Sequence, residues 1–368
     1  MKHSPENLNI ALVHDWLTNH AGGERVLLEM SNLFPKAPIF TSVYDPKGAA
    51  PFKDKDIRPS FLQKFPLLKS KRELLVPLTP FAFEQINLSK YELILSSCSM
   101  ASKGVLSKPG AIQICYCHTP SRYLWEPEVD SRAKSGFFSG LRQRTAHKMR
   151  IWDRIAADRV DYFLANSKYV AARIKKYYQR DSIVVYPPVD VDAYKPGKKS
   201  EVKDYFLFVS RLVRYKKCDL VIDAFNDLGL PLKIIGQGPD KKYLQQKAKS
   251  NIEFLGYLSD DEIKKYYSFA KAFVFAAEED FGIVPVEAMA CGRPVIAFSG
   301  GGVKESVVDG VTGVLFDEQT PQCLINTIKN FDSEKFDPVK IRNQAEKFSR
   351  EVFRTKYLEA VESILKNI

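Results

Sequence analysis

The second half of the chain alternates short apolar runs with longer helical segments, and this alternation limits the fold more than any other feature. The apolar runs occupy positions 206–209, 232–235, 252–255, 272–275, 295–298 and 314–316. Helical patterns separate the first five runs from one another. Buried strands that alternate with helices are typical of a doubly wound parallel sheet, which has helices on both faces.

The first half repeats this pattern less regularly. Apolar runs at 8–13, 93–97, 111–118, 161–166 and 183–186 predict strands, and the segment at 25–34 predicts a helix. A second helix is predicted at 141–156, because Leu141, Met149, Trp152 and Ile155 are spaced to share one face.

Two domains are predicted from the length of 368 residues, which is enough for two full cores. A polar, lysine-rich stretch at 194–204 indicates a hinge. We therefore expect domains at 1–195 and 196–349, followed by a last helix at 350–368.

The positive charge is concentrated in the first domain. The chain has 55 Lys and Arg against 44 Asp and Glu, and positions 1–195 contain 29 of the former and 19 of the latter, a balance of +10. The remaining 26 and 25 give +1. Anionic lipid or an anionic acceptor would explain this asymmetry. No nucleic-acid-reading motif accompanies it, so nucleic acid is not an expected partner.

The sequence carries no pattern of a metal site or of membrane insertion. Its five His and six Cys lack metal-ligand spacing, so neither a metal nor another cofactor is expected. Cys115 and Cys117 alternate with their neighbours as strand residues do. Because no apolar run approaches the ~18–20 residues of a membrane span and no signal peptide is evident, the predicted location is cytoplasmic.

The stretch at 276–302, AAEEDFGIVPVEAMACGRPVIAFSGGG, places two glutamates near one strand end. Glu279 follows a buried strand, and Glu287 lies in a helix predicted at 286–291, with Gly292 as its left-handed stop. Open α/β sheets bind ligands at this edge, where carboxylates accept hydrogen bonds from hydroxyls. The Phe281 and Gly282 amides can donate to an anion. Either glutamate alone could instead be a solvated partner of a helix dipole.

Basic residues and glycines follow the two preceding strands of this domain. Arg211 and Lys216 could bind one anion, since the guanidinium fork suits phosphate and the ammonium acts as a point charge. A solvated basic loop is the alternative. Gly236 and Gly238 by themselves indicate only a turn into a helix.

The first domain offers two weaker signals. Gly22 and Gly23 stand between the first strand and a helix, where the backbone can approach a phosphate, although a tight turn explains them equally well. His118 ends a predicted strand, at the edge where ligands bind, or it is a core histidine.

In this order, the motifs resemble those of retaining glycosyltransferase family 4, which is marked by two glutamates separated by seven residues. The resemblance covers nearly the whole chain. It implies the GT-B fold, in which two Rossmann-like domains face each other across a cleft. The first domain would bind the acceptor, the second the donor, and the last helix would pack back on the first domain.

The resemblance also implies a role for each candidate residue. Arg211 and Lys216 would bind the diphosphate of a nucleotide sugar, Glu279 the sugar and Glu287 the ribose. His118 would contact the transferred sugar. The other donor-binding residues would be Gly22, Gly23, Gly236, Gly238, Phe281, Gly282 and Ile283. Lys217 departs from the family pattern, which more usually has glycine there, so the following helix could start differently.

The variant at 279–283 resembles bacterial O-antigen and capsule mannosyltransferases. This implies metal-independent, retaining transfer of mannose from GDP-mannose to a lipid-linked glycan on the inner face of the plasma membrane. A UDP-hexose or UDP-N-acetylhexosamine donor is the alternative. Functions of another class are a nucleotide-sugar epimerase and an idle glycan-binding subunit, although the latter would not need the four charged donor residues.

Two basic regions of the first domain are candidates for contact with an anionic membrane surface. Positions 52–72 mix cations with apolar residues that include Phe52, Leu62 and Phe65, and positions 132–180 hold 13 basic and 3 acidic residues. Such mixtures can rest at the headgroup level. A packed loop with a solvated basic face is the alternative for the first region.

Overall fold

A computed structural model describes residues 5–65, 76–126 and 139–367. They form two α/β units: Met1–Pro188 with Phe353–Ile368, and Val189–Val352, in each case for the described residues. Each unit is built on a parallel sheet, which confirms the predicted fold class of two Rossmann-like, doubly wound domains. The second unit starts at Val189, a few residues before the predicted boundary.

The first unit contains a parallel sheet of seven strands in the order β3-β2-β1-β4-β5-β6-β7. The strands are β1 (Ile10–His14), β2 (Ile39–Thr41), β3 (Ile57–Pro59), β4 (Leu93–Cys98), β5 (Ile112–Cys117), β6 (Tyr162–Ala165) and β7 (Ser182–Val184). The helices are α1 (Gly22–Leu33), α2 (Thr79–Glu84), α3 (Arg122–Trp125), α4 (Ser139–Asp158) and α5 (Lys168–Tyr178).

The second unit has six parallel strands in the order β10-β9-β8-β11-β12-β13. They are β8 (Phe206–Val209), β9 (Leu232–Ile235), β10 (Ile252–Gly256), β11 (Ala272–Phe275), β12 (Val295–Phe298) and β13 (Gly313–Phe316). The helices are α6 (Cys218–Leu228), α7 (Lys241–Lys247), α8 (Asp260–Phe269), α9 (Ile283–Ala290), α10 (Val303–Ser306), α11 (Pro321–Lys329) and α12 (Pro338–Glu346). The order reverses between β8 and β11, so their ends form the switch point at which such sheets bind ligands.

The last helix, α13 (Arg350–Lys366), contributes to the core of the first unit. Its Phe353 and Tyr357 are buried beside Tyr116 of β5, and the Phe353 and Tyr116 rings meet edge to face with centroids 5.9 Å apart. Two rings of this size bury enough apolar area to hold a helix against a sheet.

The structure bears on two interpretations of apolar residues in the first unit. Phe52 and Leu62 are fully buried, as a packed loop requires, whereas Phe65 is 47% exposed; positions 66–72 of the first basic region lie outside the described residues. The predicted apolar face of α4 is incorrect. Met149 is buried, but Leu141 and Ile155 are 64% and 51% exposed. Of the second basic region, 132–138 lies outside the described residues.

None of the helices within 5–65, 76–126 and 139–367 is long and apolar enough to cross a membrane.

A buried ion pair joins α4 to the loop after β4. The Lys103 ammonium contacts the Asp153 carboxylate, and both side chains are 1% exposed. Asp153 also accepts hydrogen bonds from Trp125 (2.7 Å) and Tyr178 (2.8 Å), while Lys103 donates to the Met100 carbonyl (2.8 Å). Burial lowers the pKa of Lys103, but the charge and hydrogen bond of Asp153, together with Tyr178 and Cys98, outweigh this, so the pKa lies well above its ordinary value.

We predict that Asp153→Asn changes both the stability and its pH dependence. In the native protein, charged Lys103 contributes to the free energy of unfolding. Because its pKa is raised in the folded state, this contribution is complete below the pKa of ~10.4 that Lys103 has in the unfolded chain. It is lost only as the pH rises through the higher pKa of the folded state. Without Asp153, burial lowers that pKa. The variant should lose ~3–5 kcal/mol of unfolding free energy at pH 6 and recover part of it at pH 9.

Urea unfolding at both pH values, followed by tryptophan fluorescence, measures this effect in the first unit, which contains all three Trp residues. The control is Asp158→Asn, which breaks the more exposed Arg154–Asp158 pair on the same helix and should cost less than ~1 kcal/mol. A variant of Asp153 with the native pH dependence would contradict the assignment.

Candidate functional site

The charged candidates of the second unit lie at the carboxyl ends of β8 and β11. Arg211 comes two residues after β8 and is exposed, and Lys216 ends a 3-10 turn in the same loop. Glu279 lies in the loop after β11. Because β8 and β11 are paired neighbours at the switch point of the sheet, their loops share one edge.

The structure pairs two residues to which the sequence gives separate roles. The Lys216 ammonium contacts the Glu279 carboxylate, and the two side chains are 15% and 20% exposed. An ion pair that keeps some contact with water is easier to open than a buried one, because each charge can be partly resolvated. The pair can therefore exchange partners with an anion and a hydroxyl group.

Gly236 and Gly238 hold the loop that carries Arg211. A Cβ on Gly236 would lie 1.8 Å from the Ser210 carbonyl oxygen, and one on Gly238 would lie 2.1 Å from that of Leu212. The Leu212 amide also donates to the Gln237 carbonyl at 2.8 Å. Only glycine allows this backbone approach, so these residues position the basic loop. Their predicted contact with a nucleotide stays a prediction.

A second pair of glycines supports the loop of Glu279. Gly301 has a φ of 75°, and a Cβ there would lie 2.3 Å from the Glu279 carbonyl oxygen. The Gly302 amide donates to that oxygen at 2.8 Å. The sequence indicated these glycines only as part of a motif, since nothing local shows which loop they touch.

Glu287 is much less accessible than Glu279. It lies on α9, is 6% exposed, and accepts a hydrogen bond from the Tyr267 hydroxyl at 3.3 Å. Burial, and then the charge of Glu287, raise the pKa of Tyr267 well above its ordinary value, which keeps the hydroxyl a donor. The ribose contact predicted for Glu287 stays a prediction.

The start of α9 is shaped by Gly282, which precedes the helix with a φ of 87°. Ile283 is the first helical residue, and Phe281 is buried against Phe348 with ring centroids 5.3 Å apart. Gly292, after the end of the helix, has a φ of 68°, which confirms the predicted left-handed stop. Anion binding by the Phe281 and Gly282 amides remains untested.

Lys217 adopts the backbone conformation that glycine would take most easily. Its φ is 58°, immediately before α6 begins at Cys218. A left-handed conformation costs a residue with a Cβ roughly 1–2 kcal/mol. The chain thus keeps a glycine-like turn after Lys216 although the sequence departs from glycine there.

The first unit brings His118 and Gly23 together. The Ser97 hydroxyl lies 2.8 Å from His118 Nε2 and 3.1 Å from His14 Nδ1, so it bridges the ends of β1, β4 and β5. A Cβ on Gly23 would lie 3.5 Å from His118 Nε2, and α1 begins at Gly22. His118 is half-buried. Sequence reasoning did not assign roles to His14 or Ser97.

Asp15 is another residue whose role the sequence did not reveal. Its buried carboxylate accepts hydrogen bonds from four consecutive backbone amides after β4, at 2.6–2.9 Å, those of Ser99, Met100, Ala101 and Ser102. Charge-assisted bonds of this kind fix a loop strongly. A polar residue directly after the first strand was the only available signal.

In the described ranges 5–65, 76–126 and 139–367, no three His, Cys, Asp or Glu side chains are grouped so that they could hold a metal ion.

Two family models match adjacent parts of the sequence. The model of Glycosyltransferase Family 4 matches residues 20–193. The model of glycosyl transferases group 1 matches residues 191–351. The change from one match to the other lies close to Val189, where the second structural unit begins.

Two curated relatives carry related names. The chain is 33% identical over 183 residues to an uncharacterized glycosyltransferase of Methanocaldococcus jannaschii, a match that covers 48% of the chain and 51% of the relative. It is 28% identical over 191 residues to the D-inositol 3-phosphate glycosyltransferase of Mycolicibacterium smegmatis, covering 45% and 44%. The chain thus spans about half the length of these relatives.

Solved structures resemble nearly the whole chain. HepE of Anabaena, crystallised with UDP and glucose, has a TM-score of 0.70 and 20% identity, and the match covers 97% of this chain and 100% of that one. Sucrose-phosphate synthase from Thermosynechococcus elongatus has a TM-score of 0.73 and 17% identity, with 98% and 99% covered. A glycosyltransferase family model thus matches each of the two units, and the fold is that of GT-B glycosyltransferases, so the chain is similar to family 4 members along most of its length.

Proposed function

We propose that the chain transfers a hexose from a nucleotide diphosphate sugar to a hydroxyl group of a glycan. The observation that carries the proposal is the Lys216–Glu279 ion pair at the switch point of the second unit, with Arg211 in the same loop. This edge offers cations for a diphosphate and a carboxylate for sugar hydroxyls. The two glycosyltransferase family domains support the same activity.

The ion pair suggests how donor binding and sugar recognition are coupled. A diphosphate that binds Lys216 would replace Glu279 as the counterion of the ammonium. The released carboxylate could then accept hydrogen bonds from the sugar, which fixes the anomeric carbon for attack. Donor binding in this scheme exchanges one charge contact for another and leaves neither charge unpaired.

The proposed reaction breaks the bond between the anomeric carbon and the diphosphate oxygen. The acceptor oxygen bonds to that carbon on the same face, its proton passes to the departing diphosphate, and configuration is retained. Arg211 and Lys216 stabilise the charge that grows on the leaving group. In the first unit, His118 would accept a hydrogen bond from the sugar, and Gly22 and Gly23 would lie beside the diphosphate.

GDP-mannose is the proposed donor, on the resemblance of the 279–283 segment to bacterial mannosyltransferases. A UDP-hexose is the second candidate, because the Anabaena neighbour was crystallised with UDP and glucose. The proposed acceptor is a lipid-linked glycan, which the protein would reach as a peripheral protein on the inner face of the plasma membrane. The basic excess of the first half supports an anionic partner.

The first test of this function compares donors. Thermal shift with GDP, GDP-mannose, UDP-glucose and UDP-N-acetylglucosamine should show the largest stabilisation with GDP-mannose, because only the true donor fills both the nucleotide and the sugar sites. Turnover of that donor with and without a glycan acceptor separates transfer from epimerisation. A sugar that changes configuration without acceptor would indicate an epimerase, and neither binding nor turnover with any donor would refute the proposal.

Charge substitutions test the exchange of partners. Arg211→Ala and Lys216→Ala should each lower kcat/KM about a hundredfold, the scale of a lost charge-stabilising donor. Glu279→Gln should instead tighten binding of the free nucleoside diphosphate by about fivefold, since Lys216 no longer has a competing counterion. The same substitution should lower kcat with the complete nucleotide sugar.

The matched control for these variants is Arg214→Ala, which removes an exposed cation from the same loop. Calorimetric titration with GDP or UDP measures the affinities. If Glu279→Gln weakened binding of the nucleoside diphosphate, or if Arg214→Ala matched the loss at Lys216, the exchange would not occur.

Transfer is proposed to need no metal, because Arg211 and Lys216 supply positive charge for the diphosphate. We expect kcat to be unchanged after dialysis against EDTA, measured with the donor identified above. Activity that EDTA abolishes and Mg²⁺ or Mn²⁺ restores would show that an ion shares this role.

A further inference from the structure

Helix α4 carries a stripe of exposed residues that mixes apolar and basic side chains. The stripe consists of Leu141, Arg144, Lys148, Ile151 and Ile155, which are separated by three and four residues alternately and so lie along one side of the helix. Leu141, Ile151 and Ile155 are 64%, 49% and 51% exposed. Three large aliphatic residues exposed on one side of a helix, with cations between them, indicate an interaction surface.

The other side of the same helix already has its partners. Met149, Ala156 and Ala157 are buried, and Asp153 forms the internal ion pair with Lys103. The core contacts of α4 are therefore made without the stripe, which explains why the apolar periodicity in the sequence pointed to the wrong face.

Helix α2 lies beside α4. Glu84 of α2 accepts hydrogen bonds from Trp152 at 2.8 Å and from Arg159 at 2.6 Å, which holds the two helices together. Leu78, directly before α2, and Phe81, on α2, are 45% and 55% exposed. Exposed apolar side chains thus occur on two adjoining helices.

The charge of the surface is positive. Arg144 and Lys148 are exposed on the first half of α4. The two acidic residues of the helix do not offset them, because Asp153 is buried with Lys103 and Asp158 is paired with Arg154. A helix with cations among exposed aliphatic residues is typical of binding to anionic lipid, where the cations contact headgroups and the apolar side chains enter the interface.

We propose that the α4 stripe docks the protein on an anionic lipid surface. Docking would bring the protein to the proposed lipid-linked acceptor, and in this respect the inference rests on the proposed function. Lipid binding itself is measured without sugar transfer. A second copy of the chain fits less well, because packing two stripes together would bury Arg144 and Lys148 against like charges.

Sedimentation of the full chain with lipid vesicles tests the proposal. The protein should bind vesicles of phosphatidylcholine mixed with phosphatidylglycerol, release them at high salt, and bind pure phosphatidylcholine weakly. Arg144→Gln with Lys148→Gln should weaken binding at least about tenfold, since each cation near an anionic leaflet contributes about fivefold. Ile151→Ser with Ile155→Ser should weaken it comparably while leaving the charge unchanged.

The matched control is Lys175→Gln with Lys176→Gln, which removes two exposed cations from α5 of the same unit. It should retain nearly native binding. An equal loss in this control would show a general charge effect, and equal binding to both vesicle types would exclude recognition of the anionic surface. Either result overturns the proposal, as does a lack of binding to any vesicle at low salt.

Two further measurements keep the outcomes distinct. Gel filtration compares the native protein with the Ile151→Ser, Ile155→Ser variant. A dimer that is present in the native protein and absent in the variant would assign the stripe to contact with a second copy instead. Melting temperature and donor-induced thermal shift show that each variant is folded. Lost vesicle binding with a native donor response supports docking, whereas a native protein that binds vesicles but no donor would refute the proposed function alone.

Discussion

Close backbone contact between neighbouring loops is the constraint on which the candidate donor site depends. Parallel strands bring their loops to one edge, but an edge alone does not fix a charged side chain. In the second unit, three glycines lie in close contact with backbone carbonyl groups: Gly236 with Ser210, Gly238 with Leu212, and Gly301 with Glu279. Each contact leaves no room for a Cβ. These contacts hold the loops of Arg211 and Glu279 against the loops that follow the adjacent strands, β9 and β12. The loops that carry Lys216 and Glu279 are therefore already ordered, and they would lose little conformational entropy when a ligand binds.

The first unit fixes its strand ends with a carboxylate in place of glycines. Asp15 accepts four backbone hydrogen bonds from the loop after β4, and Ser97 bridges His14 to His118. Four charge-assisted hydrogen bonds to one carboxylate fix a loop strongly. Because the donors are backbone amides, the loop needs no glycine or other particular residue type.

The sequence predicted well the strands that have a clear apolar run and the helix ends that have a capping residue. All six strands of the second unit lie where apolar runs indicated them, and α13 and the stop at Gly292 also agree. The strands β2 and β3 were missed, because each has three residues and neither lies in a longer apolar run such as the one that indicated β7. The exposed face of α4 was missed for another reason: a buried face can be made of Ala, Met and a paired Asp, which hydrophobic spacing does not detect. Contacts distant in sequence, such as Lys216 with Glu279, leave no local signal at all.

The partial burial of the Lys216–Glu279 pair is consistent with the role proposed for it. A fully buried pair, like Lys103–Asp153, gives rigidity, but opening it would leave a charge uncompensated in the interior. A fully exposed pair would be too weak to hold either side chain in place. At 15% and 20% exposure, Lys216 and Glu279 lie between these limits. An anion that carries hydroxyl groups could satisfy both at once, because it offers the ammonium a new counterion and the carboxylate new donors. Phosphate alone could satisfy only the first, and a neutral sugar only the second.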